Sequence, residues 1–137
     1  MVKIDEHLKE DIRGVLLALG ITPREIHLEH PETQEHGDYS TNVALVYAKE
    51  AGKNPRELAE AVAGGLREKK DTSIEKIEVA GSGFVNFYLS REFFTDALKD
   101  VLKNKDEYGK NADLAGKKII IEYTDPNPFK EFHIGHL

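Results

Sequence analysis

The residues of this chain best suited to chemistry are His133-Ile134-Gly135-His136, two imidazoles around a glycine, with Lys130 just before them. Gly135 has no side chain, so a flat ring such as a purine can lie close to the backbone, while both imidazoles can donate hydrogen bonds to phosphate oxygens. Lys130 adds a fixed positive charge for the same phosphates. When a carboxylate attacks an α-phosphate, charge builds on the equatorial oxygens, and donors already in place lower that barrier without a protein nucleophile. Two plainer readings use the same residues: a solvated loop with ordinary histidines, or a metal site built from His133, His136 and Glu131.

A second group lies on the segment Phe84-Val85-Asn86-Phe87-Tyr88-Leu89. Side chains alternate along a strand, so Val85, Phe87 and Leu89 can enter a core while Phe84, Asn86 and Tyr88 point the other way. Two aromatics around one amide can stack an unpaired base and read its hydrogen-bonding edge. A second buried sheet face holding a satisfied Asn would show the same pattern.

The elements that must position these groups follow from periodicity. Ile4, Leu8, Ile12, Val15, Leu16 and Leu19 share one helical stripe that ends at Gly20. Ile26 to Glu29 alternates briefly before Pro31, which predicts a short strand, and a polar loop runs on to Gly37. Ser40 is expected to start a helix carrying Val43, Ala44, Tyr47, Ala48 and Ala51, with Gly52 as its stop. Asn54-Pro55 opens another helix, Pro55 suiting the first helical position and Glu57 able to reach back to the cap; Leu58, Ala61, Val62 and Leu66 form its apolar face. Ile77 to Val79 and Phe84 to Leu89 flank Gly81-Ser82-Gly83 and form a hairpin. Ser90 caps a last helix with Phe94, Ala97, Leu98 and Val101 facing inward. A polar segment then leads to Ile119-Ile120-Ile121, an apolar run of the kind buried in parallel sheets. After it come a proline-bounded loop and the His-x-Gly-His group, at the carboxyl end of a strand where α/β sheets bind ligands.

Bulk composition limits the possibilities. At 137 residues the chain fits one ordinary domain and is too short for two unless one is incomplete, and 32% charged against 39% apolar residues is the balance of a globular protein. There is no cysteine, so disulfides, thiolate metal sites and cysteine nucleophiles are excluded. No stretch approaches the roughly 18 apolar residues of a membrane span, and the N-terminus has no signal-peptide run, so a cytoplasmic protein with no membrane partner is expected. A formal net charge of −6 excludes a general polyanion binder. Any nucleic-acid contact must be local, resting on shape, stacking and a few donors.

The stretch Glu122-Tyr123-Thr124-Asp125-Pro126-Asn127-Pro128-Phe129-Lys130-Glu131-Phe132-His133-Ile134-Gly135-His136 resembles the signature region of class I aminoacyl-tRNA synthetases, and its Pro-Asn-Pro-x-Lys-x-x-His-Ile-Gly-His form resembles arginyl-tRNA synthetases in particular. Gly37-Asp38-Tyr39-Ser40-Thr41-Asn42-Val43-Ala44, Pro55-Arg56-Glu57-Leu58-Ala59, and the run from Val79 to Phe87 are similar to the N-terminal additional domain of the same family. The resemblance implies ATP binding by His133, Gly135, His136 and Lys130, with His133, His136 and Lys130 catalytic. It also implies arginine binding by Glu122 and Asn127, and Mg2+ accompanying the nucleotide. Many members carry Ser-Ser or Ser-Pro where this chain has Thr124-Asp125; a carboxylate beside a guanidinium or amino group is physically sensible, which adds Asp125 to the arginine-binding set. No protein-bound metal is assigned. Phe84 and Asn86 match the aromatic and amide positions that meet a D-loop base of tRNA(Arg), and Tyr88 shares their face. Gly37-Asp38-Tyr39-Ser40 is expected to act mainly as a loop and helix cap.

The expected fold is α+β. Residues 1–112 form a small antiparallel sheet with helices packed on one face, a tRNA-binding additional domain, and residues 113–137 begin a truncated Rossmann-like catalytic domain with its first strand. The implied parent is a monomeric arginine-tRNA ligase that uses ATP, L-arginine and tRNA(Arg). Ending at Leu137, the fragment alone is expected to be inactive, with residues 119–137 disordered or paired with another chain. A stand-alone RNA-binding module and a different nucleotidyltransferase are the competing classes.

Overall fold

The computed structural model describes residues 4–122 together with residues 129 and 131. Helix α1 (Ile4–Ala18) turns Leu8, Ile12, Val15 and Leu16 into the core, four of the six residues on its expected stripe, while Leu19 lies past its end and is exposed. Helix α2 (Val43–Ala51) buries Val43, Ala44, Tyr47 and Ala48 and stops at Gly52. The Tyr47 hydroxyl donates to Glu25 O at 2.7 Å and accepts from the Arg24 and Glu25 N–H groups, so a core aromatic also anchors the loop after α1. Helix α3 (Pro55–Glu68) starts as its sequence dictates, with Asn54 Oδ1 accepting from the Arg56 N–H at 2.9 Å. It buries Leu58, Ala59, Val62, Ala63 and Leu66. Gly65 lets α1 approach, since a Cβ there would lie 2.7 Å from Val15 Cγ1.

Strands β1 (Tyr39–Thr41), β2 (Ile74–Ala80) and β3 (Phe84–Leu89) form an antiparallel sheet with β3 in the centre. Register sets Phe87 between Tyr39 and Ile77, and Asn86 between Ser40 and Glu78. Because side chains alternate, this assigns the two sheet faces. Val85 and Phe87, both fully buried, join the helices in one core, while Ser40, Asn86 and Glu78 form a polar row on the opposite face. Among the described residues the fold is thus a small α+β one, with a three-stranded sheet accompanied by four α-helices.

Three local expectations are corrected. Residues 26–29 do not form a strand: only Glu29 bridges to Ser40, because β1 is three residues long and Pro31 has no N–H with which to extend a ladder. Ser40 does not cap α2. It lies within β1, and Asn42 stands at the helix start without a side-chain capping bond. Helix α4 (Arg91–Asn104) is capped by Ser90, whose Oγ accepts from the Phe93 N–H, yet it buries no residue. Phe94 and Leu98 are more than half exposed, since the one apolar sheet face is already covered by other helices. Spacing defined the stripe correctly but not a surface to receive it.

By contacts the chain divides into two units, Met1–Lys105 and Asp106–Leu137. In the second, residues 119–121 carry no strand pairing and Ile120 is 88% exposed. Strand geometry needs a neighbour, and among the described residues none pairs with this segment.

Candidate nucleic-acid interface

The outer face of β3 carries the sequence-predicted group Phe84, Asn86 and Tyr88, and the fold treats the three differently. Asn86 is only 3% exposed although it lies on the face away from the helices. It is covered by the segment from Glu29 to Asp38, which folds back beside the sheet through a 3-10 turn, Gln34–His36. Between that segment and the sheet is a cleft of about 420 Å³. Phe84, Asn86, Ser40 and Ala80 line it from the sheet, and Pro31, Thr33 and His36 from the covering segment.

Within the cleft the Ser40 hydroxyl donates to Asn86 Oδ1 at 2.8 Å. The Asn86 amide nitrogen has no hydrogen-bond partner among the described residues. Phe84 keeps 36% of its surface exposed, so an aromatic face and an amide stand two residues apart on the same strand face. The lining contains Glu29 and Glu32 and neither Lys nor Arg. At its edge, the Arg56 guanidinium donates to the carbonyl of Gly81, itself a lining residue, at 3.2 Å. An uncharged flat group suits this lining better than a phosphate, which the acidic side chains would repel.

Tyr88 does not line the cleft; it fastens the wall. Its hydroxyl proton is shared between Glu35 O at 2.7 Å and the Glu78 carboxylate at 3.1 Å. Lys76 Nζ lies 4.8 Å from the ring centroid and pairs with Glu78 at 2.8 Å. Burial and the neighbouring Glu78 push the Tyr88 phenol above its ordinary value, while the hydrogen bond from Lys76 holds Glu78 below its own. At the other end of the covering segment, Asp38 accepts the Leu89 N–H with its carboxylate and donates its own N–H to Phe87 O, both at 2.8 Å. His30 donates to Asp38 O at 2.7 Å and packs on Tyr39. Gly37 allows this docking: its φ is 85°, and a Cβ would lie 2.5 Å from the Phe87 carbonyl oxygen.

Sequence reasoning therefore placed Phe84 and Asn86 in one site but missed Ser40 and the covering segment. The signal was present in Gly37-Asp38-Tyr39-Ser40, where a positive-φ residue and a short carboxylate precede alternating side chains. Of the other candidates, Glu122 is exposed in an irregular stretch of the second unit. Asp125, Asn127, Lys130, His133, Gly135 and His136 lie outside the described residues.

The family described as the arginyl tRNA synthetase N terminal domain matches residues 3–89, which include every residue of the cleft. An arginine–tRNA ligase from Staphylococcus carnosus is 38% identical over 136 residues, covering 98% of this chain and 24% of the relative. One from Prosthecochloris aestuarii is 42% identical over 133 residues, covering 96% and 24%. The solved arginyl-tRNA synthetase of Thermus thermophilus superposes with a TM-score of 0.59 at 26% identity, covering 99% of this chain and 21% of that one. The chain thus spans about a quarter of the length of the curated relatives it matches. A family match over most of the described residues, from helix α1 through strand β3, places the chain in the arginyl-tRNA synthetase N-terminal domain family.

Proposed function

We propose that this chain is the tRNA-contacting N-terminal part of an arginine–tRNA ligase, and that the cleft on the outer face of β3 takes an unpaired D-loop base of tRNA(Arg). The observation that carries this reading is the pairing of a half-open Phe84 ring with a buried Asn86 amide whose nitrogen is unpartnered, in a cleft without cationic side chains. Phe84 stacks the base, Asn86 meets its edge, and Tyr88 holds the wall against which it rests. Arg56, bonded to Gly81 at the cleft edge, offers a guanidinium for a flanking phosphate.

The full-length protein would activate L-arginine with ATP in the cytoplasm and transfer it to tRNA(Arg). His133 and His136 donate to phosphate oxygens, Gly135 leaves room for the base, and Lys130 adds positive charge. Glu122, Asp125 and Asn127 hold the arginine through its guanidinium, amino and carboxylate groups. Mg2+ arrives with the nucleotide. In that protein residues 119–121 gain strand neighbours and open a Rossmann-like sheet. The relatives' shared name and the order of the Pro-Asn-Pro and His-Ile-Gly-His segments support this reading.

Titration of a tRNA(Arg) transcript into the 15N-labelled chain tests the RNA contact. The Asn86 side-chain amide and the Gly83 and Phe84 backbone signals should shift first, and the shifts should vanish when the D-loop bases are removed. Shifts elsewhere with the β3 face silent would overturn the proposal.

A further inference from the structure

We propose that Ser40 sets the polarity of the Asn86 amide, so that the cleft offers its occupant hydrogen-bond donors and no amide acceptor. This rests on the base-binding reading above and adds the chemical class of the edge that is read. An Asn side chain can present either its oxygen or its nitrogen, and the difference lies in the hydrogen-bond network around it. Here Oδ1 is turned inward to the Ser40 hydroxyl at 2.8 Å, and Ser40 Oγ makes no other hydrogen bond among the described residues. Rotating the amide by half a turn would bring Nδ2 to Ser40 Oγ, and the hydroxyl proton would then need another acceptor. Ser40 is only 5% exposed and its hydroxyl has no second partner among the described residues, so that proton would lose the one acceptor it has.

The lining points the same way. Glu29 and Glu32 favour the positive, N–H end of the amide dipole toward the cleft. Ser40 is itself locked in place, its N–H and C=O both bonded to Glu29, at 2.8 and 3.0 Å, and its Cα in register with Asn86. Ser40 is therefore a positioning residue that acts through Asn86. The class of group selected is a nucleobase edge with a ring nitrogen or carbonyl oxygen, and an exocyclic amine facing Asn86 is rejected.

The test uses the 137-residue chain with two tRNA(Arg) transcripts, one with its natural contacted D-loop base and one with an apolar, shape-matched base that stacks but has no acceptor. The wild-type chain should favour the natural base about five- to tenfold. Ser40→Ala should bring that ratio close to one by weakening the natural base far more than the apolar one, and Ser40→Thr should restore it. Equal weakening of both transcripts by Ser40→Ala marks a merely structural role and overturns the proposal, as does an unchanged ratio. If the wild type itself does not distinguish the transcripts, the base-reading proposal is what fails.

Discussion

Asp71 sits in the turn between α3 and β2, where it accepts the Ser73 N–H at 2.8 Å and lies 2.9 Å from His7 Nε2 on α1. Asp11, bonded to Lys69 at 2.8 Å, is the other acid beside His7. Burial pushes the Asp71 carboxyl up, but the Ser73 hydrogen bonds and His7 outweigh it and hold the group below its ordinary value of 3.8. A folded-state value lower than the unfolded one means that the stabilisation is complete above the ordinary carboxylate range. It is lost as pH falls through the depressed folded-state value. Asp71→Asn keeps an acceptor for Ser73 but removes the charge, so it should cost about 1 kcal/mol at neutral pH. That cost should shrink toward nothing as pH falls through the depressed folded-state value. Urea unfolding of both proteins across this range checks the prediction, and a gap that stays constant with pH would refute it.

Elements differ in how much of their environment is written locally. Helix α3 and strand β3 were legible because their cues are adjacent in sequence: Asn54 and Pro55 at a helix start, and strict alternation from Phe84 to Leu89. Ser40 was misread because a hydroxyl just before a helical pattern is also a good cap. Its actual partner, Asn86, is 46 residues away, a pairing that only register reveals. The covering wall of the cleft was hidden for the same reason, since Tyr88 meets Glu35 across 53 residues. Helix α4 shows the converse: its stripe is local, but the absence of a surface beneath it depends on the whole sheet. This difference is measurable. Phe87→Ala should cost about 3–5 kcal/mol, as expected for a large side chain that is fully buried. Phe94→Ser and Leu98→Ser, on the exposed stripe, should each change the stability of the chain by less than about 0.5 kcal/mol. A loss of several kcal/mol from either would show that α4 is packed in solution.

At the scale of the whole molecule, the question is which stretch carries the stability. The buried core draws on residues 8–87, from Leu8 in α1 to Phe87 in β3, and every residue from 102 to 122 is exposed. A segment without buried apolar surface has little to oppose local opening, so its backbone should be available to a protease that cannot reach the core. Lys103, Lys105, Lys110, Lys117 and Lys118 supply tryptic sites there. Limited trypsin digestion should cut first within this stretch and leave a resistant product ending between Lys103 and Lys118, followed by mass spectrometry. Because α1, α2, α3 and the sheet would be intact, that product should melt within a few degrees of the uncut chain. It should also keep the amide shifts of Asn86 on adding the tRNA(Arg) transcript, since each residue lining the cleft lies between Glu29 and Asn86. A product that unfolds on cleavage, or first cuts inside α3, would mean that residues beyond α4 contribute to the fold that holds the cleft.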